Sequence, residues 1–180
     1  MLKKFLALCL VVIALTLTSC ASLGGGLQSF VDTTDGYEFL YPNGWLQVKV
    51  SDGPDVVFHD LIESTENVSI VISPVPEEKT LTDLGTPTEV GYKLSKNAIA
   101  PEDSGREAEL VNAETRDYKA KTYYQLEYAV KFDDGRERHN LASVAVSRGK
   151  LFTINISATE QRWQKVHDKF KQVINSFFVY

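Results

Sequence analysis

The sequence predicts an α+β domain in which an antiparallel sheet is covered by helices. Two tight turns, Asp133-Asp134-Gly135 and Arg148-Gly149, join three alternating runs between residues 122 and 157, the signature of consecutive antiparallel strands. Two helix patterns stand far apart in the chain, and no regular strand–helix–strand alternation links them, which excludes a doubly wound parallel sheet.

The elements follow in order. Tyr37, Phe39 and Tyr41 alternate as one face of a strand, Pro42-Asn43-Gly44 turns the chain, and Trp45 to Val50 reads as the returning strand of a hairpin. Val56-Val57-Phe58 and Val68 to Ile72 are two further strands, with Pro74 and Pro76 ending the second. Thr86-Pro87-Thr88-Glu89 starts a helix: Thr86 is the N-cap, Pro87 fits the first helical position, and Glu89 reaches back as a capping box. Val90, Leu94 and Ala98 continue it at every fourth position, Gly91 permits close approach to a sheet, and Pro101 stops it. Residues 101 to 106 form a loop and Glu107 to Arg116 a strand. Tyr124, Leu126, Tyr128 and Val130 line one face of the next strand, with Gln125 and Glu127 on the other. Arg138 to Ser147 and Leu151 to Ser157 complete the meander. From Glu160 to Phe177, with Ser157 or Thr159 as cap, Trp163, Val166, Phe170, Val173, Ile174 and Phe177 form an apolar stripe that packs on the sheet.

Ahead of this domain, Lys3 and Lys4 precede an apolar run from Phe5 to Leu15, shaped like a secretory signal. Leu17-Thr18-Ser19-Cys20 resembles a bacterial lipobox. The resemblance implies cleavage before Cys20, acylation of that cysteine and a chain tethered to a membrane, since several acyl chains together give a stable anchor. Residues 1–19 are then the signal, 20–29 a flexible leash containing Gly24-Gly25-Gly26, and 30–180 a single domain. Cys9 leaves with the signal and Cys20 takes lipid, so the domain has no thiol.

The chain holds 19 basic and 24 acidic residues. Without Lys3 and Lys4, 17 basic residues face 24 acidic ones, net −7, a balance that excludes a general nucleic-acid binder. Residues 21 to 120 hold 7 basic and 18 acidic residues, net −11, whereas 121 to 180 hold 10 and 6, net +4. Arg136 and Arg138, with Arg148 and Lys150 at the opposite end of the meander, and Lys165, Lys169 and Lys171 on the last helix, are the candidates to meet an acidic partner.

The three histidines, His59, His139 and His167, lie in no nucleophile elbow or paired-histidine helix, so nothing local points to catalysis. Each stands near a carboxylate: His59-Asp60 with Glu63, Glu137 with His139, and His167-Asp168. Zinc, manganese or calcium can use such ligands. The simpler expectation is a set of solvated surface side chains that bind such ions weakly, with no cofactor required; His167 and Asp168 diverge by about 100° on a helix. Trp45 and Trp163 are expected in the core.

Gly36-Tyr37-Glu38-Phe39-Leu40-Tyr41-Pro42-Asn43-Gly44-Trp45, Asn67 to Pro74, Leu84 to Tyr92, and Gly149 to Asn155 running into Arg162-Trp163 and Phe170 to Tyr180 resemble the PsbP family of extrinsic photosystem II proteins, in its cyanobacterial lipoprotein branch. The segments cover nearly the whole chain after Cys20, in the family's order. The resemblance implies an α-β-α sandwich around an antiparallel sheet. It also implies a place on the lumenal side of the thylakoid membrane, and a non-enzymatic role, as a monomer, in assembling or stabilising photosystem II and its oxygen-evolving site. The family is also described as binding calcium or other divalent ions, which keeps a lumenal calcium, manganese or zinc carrier as the alternative. Plant members carry a longer N-terminal segment that helps retain calcium and chloride; only the leash precedes Phe30 here, so assembly is the expectation rather than ion retention.

Overall fold

The computed structural model describes residues 26–76 and 78–180; the signal, Cys20 and the glycine run at 24–25 lie outside them. The chain runs through β1 (Leu27–Asp32), β2 (Tyr37–Pro42), β3 (Trp45–Val48), β4 (Val56–Asp60), β5 (Asn67–Pro74), a 3-10 turn (Thr82–Leu84), α1 (Pro87–Leu94) and a π-helical turn (Ser95–Ile99). It continues through β6 (Arg106–Tyr118), β7 (Lys121–Phe132), β8 (Glu137–Ser147), β9 (Lys150–Thr159), α2 (Glu160–Ser176) and β10 (Phe178–Val179). Seven strands form one sheet in the order β3-β4-β5-β9-β8-β7-β6, and β1-β2-β10 form a second, smaller one. Every pairing is antiparallel.

The large sheet is buried on both faces, as expected of an α-β-α sandwich. On one face Phe58, Ile70, Phe152, Ile154 and Ile156 meet the α2 stripe of Trp163, Phe170, Val173 and Ile174, together with Tyr37 and Phe39 of the small sheet. On the other, Leu126, Tyr128 and Val144 meet Val90 of α1. Alternate residues of β7 and β8 serve opposite cores, as the pleat requires.

The capping box at α1 is present in full: Glu89 N–H donates to Thr86 Oγ1, and Glu89 Oε2 accepts from the Thr86 backbone at 2.8 Å. Gly91 marks the closest approach of α1 to the sheet, since a Cβ there would lie 2.8 Å from Leu110 Cδ2 and 3.3 Å from Leu126 Cδ2. Tyr124 and Tyr128 fasten the helix to the sheet by donating to the carbonyls of Gly85 (2.8 Å) and Gly91 (2.9 Å).

The expected hairpin of 37–50 does not form. β2 and β3 belong to different sheets, and Pro42-Asn43-Gly44 carries the chain from one to the other. Tyr37 to Pro42 pair instead with β1, Leu27 opposite Pro42 and Asp32 opposite Tyr37, while Glu38 and Tyr37 also pair with Phe178 and Val179. Strand β1 begins at Leu27, inside the stretch assigned to the leash, and Asn43 N–H donates to Gly26 O at 2.7 Å. Long-range pairing with both ends of the domain outweighs the local turn signal.

Candidate functional site

At the start of α2, β8, β7, α2 and the β4–β5 turn bring a cluster of half-buried charges together. His139 stands on the α2 face of β8 and is only 8% exposed, which corrects the expectation of a solvated side chain. Its Nε2 lies 2.8 Å from Glu127 Oε1 on β7, and its Nδ1 lies 2.9 Å from Glu160 Oε2 in the first turn of α2. Each ring nitrogen therefore faces a carboxylate oxygen. The ring stacks on Trp163, centroids 4.1 Å apart, and His167 meets the same indole edge-on at 5.1 Å.

Beside it, Arg162 of α2 binds the buried Glu66 through Nε and Glu63 at 3.2 Å. These carboxylates hold its guanidinium above the usual arginine range, the hydrogen bond that Arg162 donates to Glu66 acting most strongly. Asp60 fixes the turn: Oδ1 accepts from the backbone N–H groups of Ile62 and Glu63, both at 2.7 Å, and Oδ2 accepts from Trp45 Nε1 at 2.9 Å. Those donors, the Glu63 N–H first, hold Asp60 below the usual carboxylate range. The tip of this braced turn presents Leu61 and Ile62 to solvent, 66% and 88% exposed.

Most of the expected metal groupings do not gather. His59 Nδ1 lies 2.8 Å from the Asp60 carbonyl, and the Asp60 carboxylate is occupied by the turn and Trp45. Glu137 pairs with Lys131 at 3.4 Å rather than with His139. His167 and Asp168, expected to diverge, meet at 3.0 Å, without a third carboxylate or imidazole. Among the described residues, Asp32, Asp35 and Asp55 form the one group of three such ligands. Asp32 Oδ1 accepts from the N–H groups of Thr34 and Asp35, Asp35 binds Lys150 at 2.7 Å, and Asp55 accepts from Tyr37 OH.

The expected partner-binding cations divide in the same way. Arg138, a candidate to meet an acidic partner, is half-buried and donates to Thr65 O and Ser157 Oγ; burial lowers its pKa from the usual arginine value. Arg136 is exposed and paired with Asp134 at 2.7 Å. Arg148 and Lys150 lie at the far end of the meander and bind the Asp35 loop. Lys165, Lys169 and Lys171 are exposed on the outer side of α2. Glu127 and Glu160, the partners that define His139, escaped sequence reasoning because neither is near it in the chain. The alternation that sets Glu127 opposite Leu126 was the available signal.

A family profile described as PsbP matches residues 25–179. Over its full length the chain is 52% identical to CyanoP of Thermosynechococcus vestitus and 52% identical to CyanoP of Synechocystis, covering 100% of each. The solution structure of cyanobacterial PsbP (CyanoP) from Synechocystis superposes with a TM-score of 0.75 at 53% identity, covering 92% of this chain and 99% of that one. The profile match and the full-length relatives, with the antiparallel α-β-α sandwich, define a PsbP-type domain. The chain belongs to the PsbP family.

Proposed function

We propose that this protein is a non-enzymatic, lipid-anchored protein of the thylakoid lumen that associates with photosystem II and assists its assembly or the stability of its oxygen-evolving site. The match of the PsbP profile to residues 25–179 carries the reading. The geometry supports it: the described histidines and buried arginines are engaged in internal ion pairs and hydrogen bonds, while Lys165, Lys169, Leu61 and Ile62 face solvent around one end and side of α2. Cys20 supplies the anchor. Charges at the rim of such a contact set encounter rate and salt sensitivity, and the two aliphatic side chains supply the apolar part.

The test is affinity isolation of the tagged full chain from thylakoids. Photosystem II subunits are expected to co-purify, in amounts that fall as salt rises and fall further in Lys165→Glu/Lys169→Glu or Ile62→Asp. Recovery of the chain without these subunits at low salt overturns the reading. Asp32, Asp35 and Asp55 favour a second reading, a carrier of calcium, zinc or manganese. Calorimetric titration showing tight binding of one ion per chain, lost in Asp35→Asn, supports the carrier over the interaction protein.

A further inference from the structure

α1 packs on β6 and β7 and leaves β5 and β9 only partly covered on the same face of the sheet. At that boundary a cavity of about 540 Å³ opens, within the range that holds small ligands. Its walls are aliphatic: Val90 and Leu94 from α1, Ile99 from the π-helical turn, Val71 from β5 and Leu151 from β9. π turns widen a helix and recur at functional sites; here the wider turn carries Ala98 and Ile99 to the lip of the cavity.

Of the polar side chains that line the cavity, Ser73, Asn97, Thr153 and Asn155 can each donate or accept. Asn155 Oδ1 accepts from Asn140 Nδ2 at 3.1 Å, and its own N–H groups can donate beside the hydroxyl of Thr153. Among the described residues that line the opening, Lys79 and Lys93 stand with one carboxylate, Asp83, and Lys93 Nζ also donates to Leu84 O at 2.8 Å. That carboxylate is held by the backbone N–H and hydroxyl of Thr80, at 2.7 and 2.5 Å. The mouth is therefore cationic and the interior apolar.

We infer that this cavity binds a long-chain carboxylate, with the acyl chain between α1 and β5–β9 and the acid group at the mouth beside Lys79 and Lys93. An apolar chain takes the interior without stranding a polar group. A carboxylate answers the two ammonium groups and the donors with charge-assisted hydrogen bonds.

The test uses the full chain in a phosphatidylcholine bilayer disc, exposed to palmitate bearing a diazirine on its chain and irradiated, with the labelled peptides mapped by mass spectrometry. Within the domain, the label is expected on the segments that line the cavity, residues 71–73, 79–99, 128, 142 and 151–155. Ala98→Trp, at an exposed position on the lip, should fill the cavity and remove this label while circular dichroism stays unchanged. Lys93→Glu, or the methyl ester of the same probe, should weaken labelling about tenfold, the scale of one charge-assisted hydrogen bond. Label elsewhere in the domain, or label indifferent to Ala98→Trp, overturns the site. An ester that labels as well as the acid overturns the carboxylate as its ligand.

Discussion

The imidazole of His139 lies nearly parallel to the indole of Trp163, with ring planes 13° apart and centroids at 4.1 Å. One comes from the middle of the large sheet and the other from the first turns of α2, so the stack fixes where the helix lands. Trp163→Ala should lower stability by about 3–5 kcal/mol, the usual cost of emptying a buried aromatic site. Urea denaturation measures it, and a loss under about 1 kcal/mol would mean that the ring does not anchor the helix.

His139→Leu keeps an apolar ring-sized group on Trp163 but leaves Glu127 and Glu160 without their donor. The expected loss is about 1–3 kcal/mol, the cost of stranding a partly buried acceptor. Glu127→Gln in the His139→Leu background should restore part of it, because the neutral amide is less costly to keep there. A fully additive double variant would show that the carboxylate and imidazole do not interact.

Asp60 gives acid sensitivity with a definite sign. Its folded pKa lies below its ordinary value because the N–H groups of Glu63 and Ile62 and the Trp45 indole favour the charged form. The stability this contributes is present above the ordinary aspartate range and is lost as pH falls through the lowered folded value. Asp60→Ala should therefore be less stable than the parent near neutral pH, with the gap narrowing once both are taken well below the carboxylate range. Equal denaturation midpoints near neutral pH would count against this role of Asp60.

Gly91→Ala places a methyl group against Leu110 and Leu126. Overpacking of this kind costs about 1–3 kcal/mol, and it should also loosen the hydrogen bond from Tyr128 to the Gly91 carbonyl. Faster amide exchange across α1, with α2 unchanged, is the expected readout.

Cys20→Ala tests the anchor. The variant should remain unprocessed at its signal or move to the soluble fraction. Normal cleavage together with retention on membranes after a high-salt wash would reject lipidation at this residue.

Much of the large sheet was legible because its instructions are local. Asp133-Asp134-Gly135 and Arg148-Gly149 set the β7-β8-β9 meander, Thr86 to Glu89 wrote the start of α1, and the stripe from Trp163 to Ile174 faces the core as its spacing demanded. The small sheet was not legible, because Tyr37 chooses Asp32 and Val179 as neighbours and nothing within the Pro42-Asn43-Gly44 turn announces a change of sheet. The same reason hid the environment of His139. Glu137 is two residues away and points to Lys131, while Glu127 and Glu160, 12 and 21 residues away, occupy the ring nitrogens.

The sharing of β2 by the first and last strands has a consequence for biogenesis. Val179 must reach Tyr37 and Tyr180 N–H must reach Gly36 O before the small sheet closes, so this part of the domain forms only after both segments have been made. Joining segments so distant in the chain is slow compared with forming the local turns of the meander. A chain cut short of residue 178 therefore leaves part of β2 without its β10 neighbour, an unpaired strand edge that can template pairing with another chain.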